Sequence, residues 1–112
     1  MAPVGGTLLS AVAVTGAGTT IVFPFMIKDI AIQFSGAGTT FTAIVVDVEG
    51  SLDGVTWFVL ATKTFTAGEL TAKAALHVVE NAMVSHIRLN PTTVTVTAAT
   101  LSAICKAEGP VG

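Results

Sequence analysis

The sequence predicts an all-β fold, a β-sandwich of jelly-roll-like form with about eight short antiparallel strands, and three observations carry that expectation. Threonine and valine abound, and their β-branched side chains suit a pleated, half-buried surface. Apolar residues recur at every second position in several stretches, the period of a strand with one face on a core. Turn signals rich in glycine fall at intervals of roughly 15 to 20 residues. The periodicity predicts no helix.

Taken in order, strands are expected over Thr7 to Thr15, Thr20 to Phe25, Lys28 to Phe34, Thr40 to Glu49, Thr56 to Phe65, Leu70 to Val79, Val84 to Leu89 and Thr93 to Cys105. Alternation assigns their inner faces. Ile30, Ile32 and Phe34 form one such face, and Ile44, Val46 and Val48 another. Leu70, Ala72, Ala74, Leu76 and Val78 are expected inward, followed by Ile87 with Leu89 and Val94 with Val96. In the last strand the alternation changes phase near Ala98-Ala99, which predicts a bulge or bend.

The breaks between strands are expected at Gly16-Ala17-Gly18, Gly36-Ala37-Gly38, Asp53-Gly54, Ala67-Gly68-Glu69 and Asn90-Pro91. The pentapeptide GAGTT occurs at Gly16 to Thr20 and again at Gly36 to Thr40, which reads as one loop solution used before two successive strands. Asp53-Gly54 is a hairpin signal, because glycine accepts the positive φ of a turn followed by a bulge. Pairing Ser51 with Val55 then sets Val48 opposite Phe58 and Val46 opposite Leu60 on the core side. It also sets Trp57 beside Glu49 and Val59 beside Asp47 on the other face.

The 112 residues are read as a single domain, 1–112, with residues 1–6 as a possible N-terminal arm. Charged residues make up only 11% of the chain against a typical ~25%, while apolar residues reach 52%. That surplus predicts apolar surface directed at other protein chains, since monomers seldom expose large contiguous patches. The net charge is −2 and the five cations are scattered, so nucleic acid is not an expected partner. No basic region precedes the apolar start, and the uncharged first 27 residues are broken by Thr15, Gly16, Gly18 and Pro24. Neither a signal peptide nor a membrane span is therefore expected. Cys105 stands alone and reads as a small buried apolar residue near a strand end.

Candidate interaction residues are Trp57, Asp47, Glu49, His77, His86, Arg88 and the arm residues Met1, Ala2, Pro3 and Val4. Trp57 on an outer face beside carboxylates suits a protein contact or a sugar ring, and a twist at the bulge would instead turn it under a loop or into the core. Asp47, Glu49 and Asp53 make too few ligands for calcium and read as solvated edge charges. His77 and His86 lack the third and fourth ligands of a metal site and read as surface or interface histidines. With no nucleophile beside a base and an orienting group, no catalysis, cofactor or metal is expected.

The residues Val46 to Leu60 spell V-x-V-E-G-S-L-D-G-V-T-W-F-x-L, followed by H-I-R-L-N at His86 to Asn90 and T-V-T-V-T at Thr93 to Thr97. This pattern resembles small β-sandwich structural proteins of tailed-bacteriophage virions, with His86 standing where an aromatic is common. The resemblance covers roughly Ile44 to Thr97. It implies a virion component of the capsid decoration or cement kind, a homo-oligomer, often a trimer in that family, that bridges major capsid subunits. A tail, baseplate or fibre-associated domain is the alternative, and a carbohydrate-binding module a further one. The decoration reading expects apolar and Thr-rich strand faces to be buried between copies, with the arm pairing to a neighbour's sheet edge.

Overall fold

The computed structural model describes residues 4–109. Four strands and one short helix run in the order β1 (Val4–Val12), β2 (Ile21–Ser51), β3 (Phe58–Thr64), α1 (Ala67–Ala72) and β4 (Ala74–Glu108). The strands form one antiparallel sheet in the order β1-β4-β2-β3. The all-β class expected from the sequence is therefore present, with fewer and much longer strands than the eight predicted.

Length alone shows that these strands bend. The 31 residues of β2, at about 3.3 Å each, would extend roughly 100 Å, whereas the longest dimension of the molecule is 44 Å. One bend lies where Gly38, at φ 106°, meets Ala99, beside Ala98 at φ 47°. A Cβ on Gly38 would sit 2.2 Å from the Ala98 carbonyl oxygen, so only glycine permits the two chains to approach there. The phase change predicted near Ala98-Ala99 is this bend: Val94 and Val96 lean on the core before it, and Ala99, Leu101 and Ala103 enter the core after it. A second bend in β4 sits at Asn81 and Met83, both with positive φ.

Because they bend, the two long strands pair on both of their edges. Residues Asp29 to Ser35 of β2 pair with Ala74 to Glu80 on one side and with Ser102 to Glu108 on the other. Past the Gly38 bend, Thr40 to Ser51 pair with His86 to Thr97. In β4, His86 and Ile87 are flanked by Ser51 and Gly50 on one side and by Val22 and Ile21 on the other.

The two GAGTT copies therefore have different fates, contrary to the shared loop role expected of them. The first lies between β1 and β2 and docks on β4, where Gly18 N–H donates to the Leu89 carbonyl at 2.8 Å and Gly16 N–H to that of Pro91. The second lies inside β2, and its predicted break is a bend in an unbroken ladder. Asn90-Pro91 is likewise carried within β4, paired with Asp47 and Val46.

The core collects Ile30, Ile32, Phe34, Ile44, Val46, Val48, Ile87 and Leu89 as the alternation predicted, together with Leu8, Leu9, Phe23, Ile27 and Leu101. Phe34 packs edge-on to Phe65 with ring centres 5.4 Å apart. The face expected for Leu70 to Val78 is corrected. Leu76 and Val78 are exposed, and Ala75 and Val79 are buried in their place.

A helix displaces the start of that expected strand. Thr66 caps α1 in a reciprocal box, its Oγ1 accepting from Glu69 N–H while Glu69 accepts from Thr66 N–H. Lys73, at φ 54°, closes the helix in the left-handed conformation, so the alternation restarts one residue out of step.

Of the possible arm, Met1, Ala2 and Pro3 lie outside the described residues. Val4, Gly5 and Gly6 are the first residues of β1 and pair within the chain, opposite Ala107, Lys106 and Cys105. Cys105 is buried as expected, and burial pushes its thiol pKa up. Among the described residues no helix is long and apolar enough to cross a membrane.

Candidate interaction surface

The loop between β2 and β3 is built by two short polar side chains. Buried Ser51 accepts at Oγ from the N–H groups of Asp53 and Gly54, at 3.2 and 2.9 Å, and donates to Asp53 Oδ1 at 3.0 Å. The same Oδ1 accepts from the N–H groups of Val55 and Thr56 at 2.8 and 3.0 Å. These donors hold the Asp53 carboxyl below its ordinary pKa, Thr56 contributing most, then Val55, then Ser51. Gly54 supplies the positive φ, 77°, that the sequence led one to expect there.

Side-chain bonding widens this loop beyond a two-residue turn, and the predicted register is corrected accordingly. Gly50 pairs with Phe58, Glu49 with Val59 and Val48 with Ala61, Leu60 being an extra residue at a bulge. Phe58 consequently points outward and is 62% exposed instead of lying on the core side.

Trp57 is half-buried and held from above by one residue of β4. The Arg88 guanidinium carbon lies 4.1 Å from the ring centre, a cation–π stack. Arg88 Nε donates to Glu49 Oε1 at 2.7 Å, and Asn90 Nδ2 reaches the other Glu49 oxygen at 3.3 Å. Glu49 is thus a buried, paired carboxylate, where the sequence reading had placed a solvated edge charge. Its cross-strand partner is Arg88 itself. The local order follows from the two-residue strand period: Glu49 and Ser51 on β2 meet Arg88 and His86 on β4, and the loop folds Trp57 over them.

The other candidate residues are dispersed. Asp47 accepts from the Thr62 hydroxyl at 2.7 Å, apart from the Glu49 network. His86 shares a hydrogen bond with Ser85 Oγ at 2.8 Å and lies under Gly54. His77 pairs opposite Ile32, so the two histidines are not cross-strand partners. Burial lowers the His77 pKa first and Lys63 second, with Glu69 acting against them. Among the described residues no group of three His, Cys, Asp or Glu could hold a metal.

The structure adds residues that alternation did not single out. Leu52, Val55 and Val59 stand out into solvent beside Phe58, Val55 being 80% exposed. A second apolar area is a shallow hollow of about 190 Å³ lined by Ala31, Gln33, Leu76, Ile104, Cys105 and Lys106. The total accessible surface is 5591 Å², close to the roughly 5,700 Å² of a folded monomer of this length. The chain is therefore compact by itself, and what distinguishes its exterior is the placing of large apolar side chains.

Comparison with known proteins places the fold. No family model matches the sequence, and no curated protein matches it. Among solved structures, the chain is similar to the SPBc2 prophage-derived protein YomS, with a TM-score of 0.66 and 12% identity over 96% of this chain and 94% of that one. It is also similar to the C-terminal domain of a chitobiase from Bacteroides fragilis, with a TM-score of 0.50 and 26% identity over 78% of this chain and 57% of that one. The first likeness, nearly full-length in both directions, shows that this all-β arrangement is shared with a prophage-derived protein.

Proposed function

We propose that this chain is a non-catalytic structural protein of a bacteriophage-type virion, a capsid decoration or cement subunit that binds copies of itself and a shell protein. The observation that carries this reading is a loop fixed by five side-chain hydrogen bonds that nevertheless presents Leu52 and Val55 to solvent, with Phe58 and Val59 following. A loop serving only to connect strands gains nothing from apolar exposure, whereas a preordered apolar surface binds another protein with little ordering entropy to overcome. The sparse charge of the chain and the end-to-end likeness to a prophage-derived fold support the same reading. The form it takes is a two-layered, jelly-roll-like sandwich, in which the bent β2–β4 ladder supplies strands to both layers. A position in a tail, baseplate or fibre uses the same surface.

One observation favours a second reading, carbohydrate binding: the likeness to a chitobiase C-terminal domain. Against it, a sugar platform needs an open aromatic face, and one face of Trp57 is covered by Arg88. Two measurements separate the readings. Co-sedimentation with purified empty phage shells is expected to carry the chain into the pellet, saturably. Fluorescence of Trp57, the sole tryptophan, is expected to stay unchanged on adding chitooligosaccharides. A chain that ignores shells and tails, and whose emission shifts saturably with sugar, overturns the proposal.

A further inference from the structure

β3 is the terminal strand of the sheet, hydrogen-bonded to β2 on one side only. An unpaired strand edge is a row of backbone donors and acceptors whose natural complement is another strand, so folded proteins normally blunt such edges. The other edges here carry such features. β1 is broken by two register shifts and by Ala11 at φ 51°. The run from Ile21 to Ile27 contains Pro24 and a register shift. The segment from Ala74 to Glu80 ends in a row of three carboxylates, Glu80 beside Asp29 beside Glu108.

β3 carries one register shift, the bulge at Leu60, and no positive-φ residue or row of carboxylates. It contains no proline, and its one ionic residue, Lys63, is neutralised by Glu69 at 2.8 Å. The helix packs on β2 and β4 and reaches β3 through the Lys63–Glu69 pair. Phe58 and Val59 point to opposite faces of the strand, yet both are exposed, 62% and 55%. At its Phe58–Val59 end the strand therefore has an exposed apolar side chain on either side of whatever pairs with its free edge, while Leu60 and Ala61 lean on the core.

Resting on the structural-subunit reading, we infer that the outer edge of β3 is a self-association surface, on which a second copy of this chain adds its own β3 antiparallel about a two-fold axis. Self-pairing is what this edge fits. Two identical strands in antiparallel order present matching donors and acceptors, and a two-fold contact requires self-complementarity. Charge does not oppose it, because Lys63 and Arg88 are each already paired with a carboxylate, and Asp53 is turned onto its own loop N–H groups. The seven-residue edge spans about 23 Å, and Val55 at its head adds apolar contact without reordering, since the loop is already fixed.

The test is sedimentation equilibrium of the full chain up to millimolar concentration, with hydrogen exchange of the β3 amides followed against concentration. The wild type is expected to self-associate, with protection of β3 amides rising as it does so. The double variant Val55→Lys/Val59→Lys, which alters exposed positions only, is expected to weaken association by at least ~tenfold while keeping the wild-type circular dichroism. A monomeric wild type, a double variant that associates unchanged, or association lost instead in Leu76→Lys/Ile104→Lys each overturns the inference. Shell co-sedimentation of the wild type keeps the two proposals distinguishable: a wild type that stays monomeric at millimolar concentration and still pellets with shells overturns the β3 inference and leaves the virion reading standing.

Discussion

Arg88 makes two different contacts at once, lying 4.1 Å over the centre of Trp57 while its Nε donates to Glu49 at 2.7 Å. The loop and the two central strands are joined through this one side chain. Removing it as Arg88→Ala leaves a buried carboxylate with only Asn90 at 3.3 Å and uncovers the indole. The expected loss is about 2–3 kcal/mol, between the cost of breaking a buried ion pair and that of an exposed stack. Arg88→Lys recovers little of it, since an ammonium lacks the planar group. Urea unfolding measures the loss, and a red shift of tryptophan emission in the folded state reports the opened ring.

A second prediction concerns acid. The Asp53 carboxylate has its folded pKa lowered by the Thr56, Val55 and Ser51 donors, so it binds protons less readily folded than unfolded. Its contribution to stability is therefore full above the ordinary aspartate range and is lost as pH falls through the lower, folded value. Asp53→Asn is expected to be less stable than wild type at neutral pH, with the difference closing as both are acidified. Melting temperatures measured from pH 7 to pH 2 follow it, and a constant gap between the two proteins refutes it.

His77 gives a separate pH response at a higher range. Burial and the nearby Lys63 lower its folded pKa, so the neutral ring is favoured in the folded state. Stability linked to it is full above the ordinary imidazole value, near 6.5, and declines as pH falls through the lower folded value. His77→Gln is expected to flatten the stability profile on the acid side of that value. A variant with the wild-type slope there would count against this account.

The Gly38 bend gives the largest expected effect of a single methyl group. Gly38→Ala places a Cβ 2.2 Å from the Ala98 carbonyl oxygen at φ 106°, and both strain and overlap oppose it. The expected destabilisation is about 3 kcal/mol or more. Gly16→Ala is the control, since Gly16 also has a positive φ, 122°, but nothing within 4 Å of its Cβ position. A smaller loss there than at Gly38 separates the overlap from the backbone preference, and equal losses would show the overlap to be relieved.

Much of the core was legible because alternation survives wherever a strand has one dry face: Ile30 to Phe34 and Ile44 to Val48 are buried as their spacing predicts. Connectivity was not, because Gly36 to Gly38 and Asn90-Pro91 carry the sequence marks of a turn while acting as bends between continuous partners. Distinguishing the two requires knowing the opposite strand. The α1 helix had a readable signal that periodicity missed, Thr66 with Glu69 three residues on. For the candidate surface, Trp57, Glu49 and Arg88 were named from their types, but the ring's burial beneath Arg88 depends on how many residues the loop consumes. That number was set by Ser51 and Asp53 side chains bonding the backbone, a competition local spacing does not reveal.

The pairing of Val4 to Gly6 with Cys105 to Ala107 bears on the order in which the chain is completed. A ribosome releases β1 long before it makes the segment of β4 that β1 lies against, so this strand must wait unpartnered while the residues between them are made. Its two adjoining glycines, Gly5 and Gly6, offer nascent chains little to stick to in the meantime. Closure of the sheet thus waits on Cys105 to Ala107, and a polypeptide cut short of them leaves β1 with no strand to lie against.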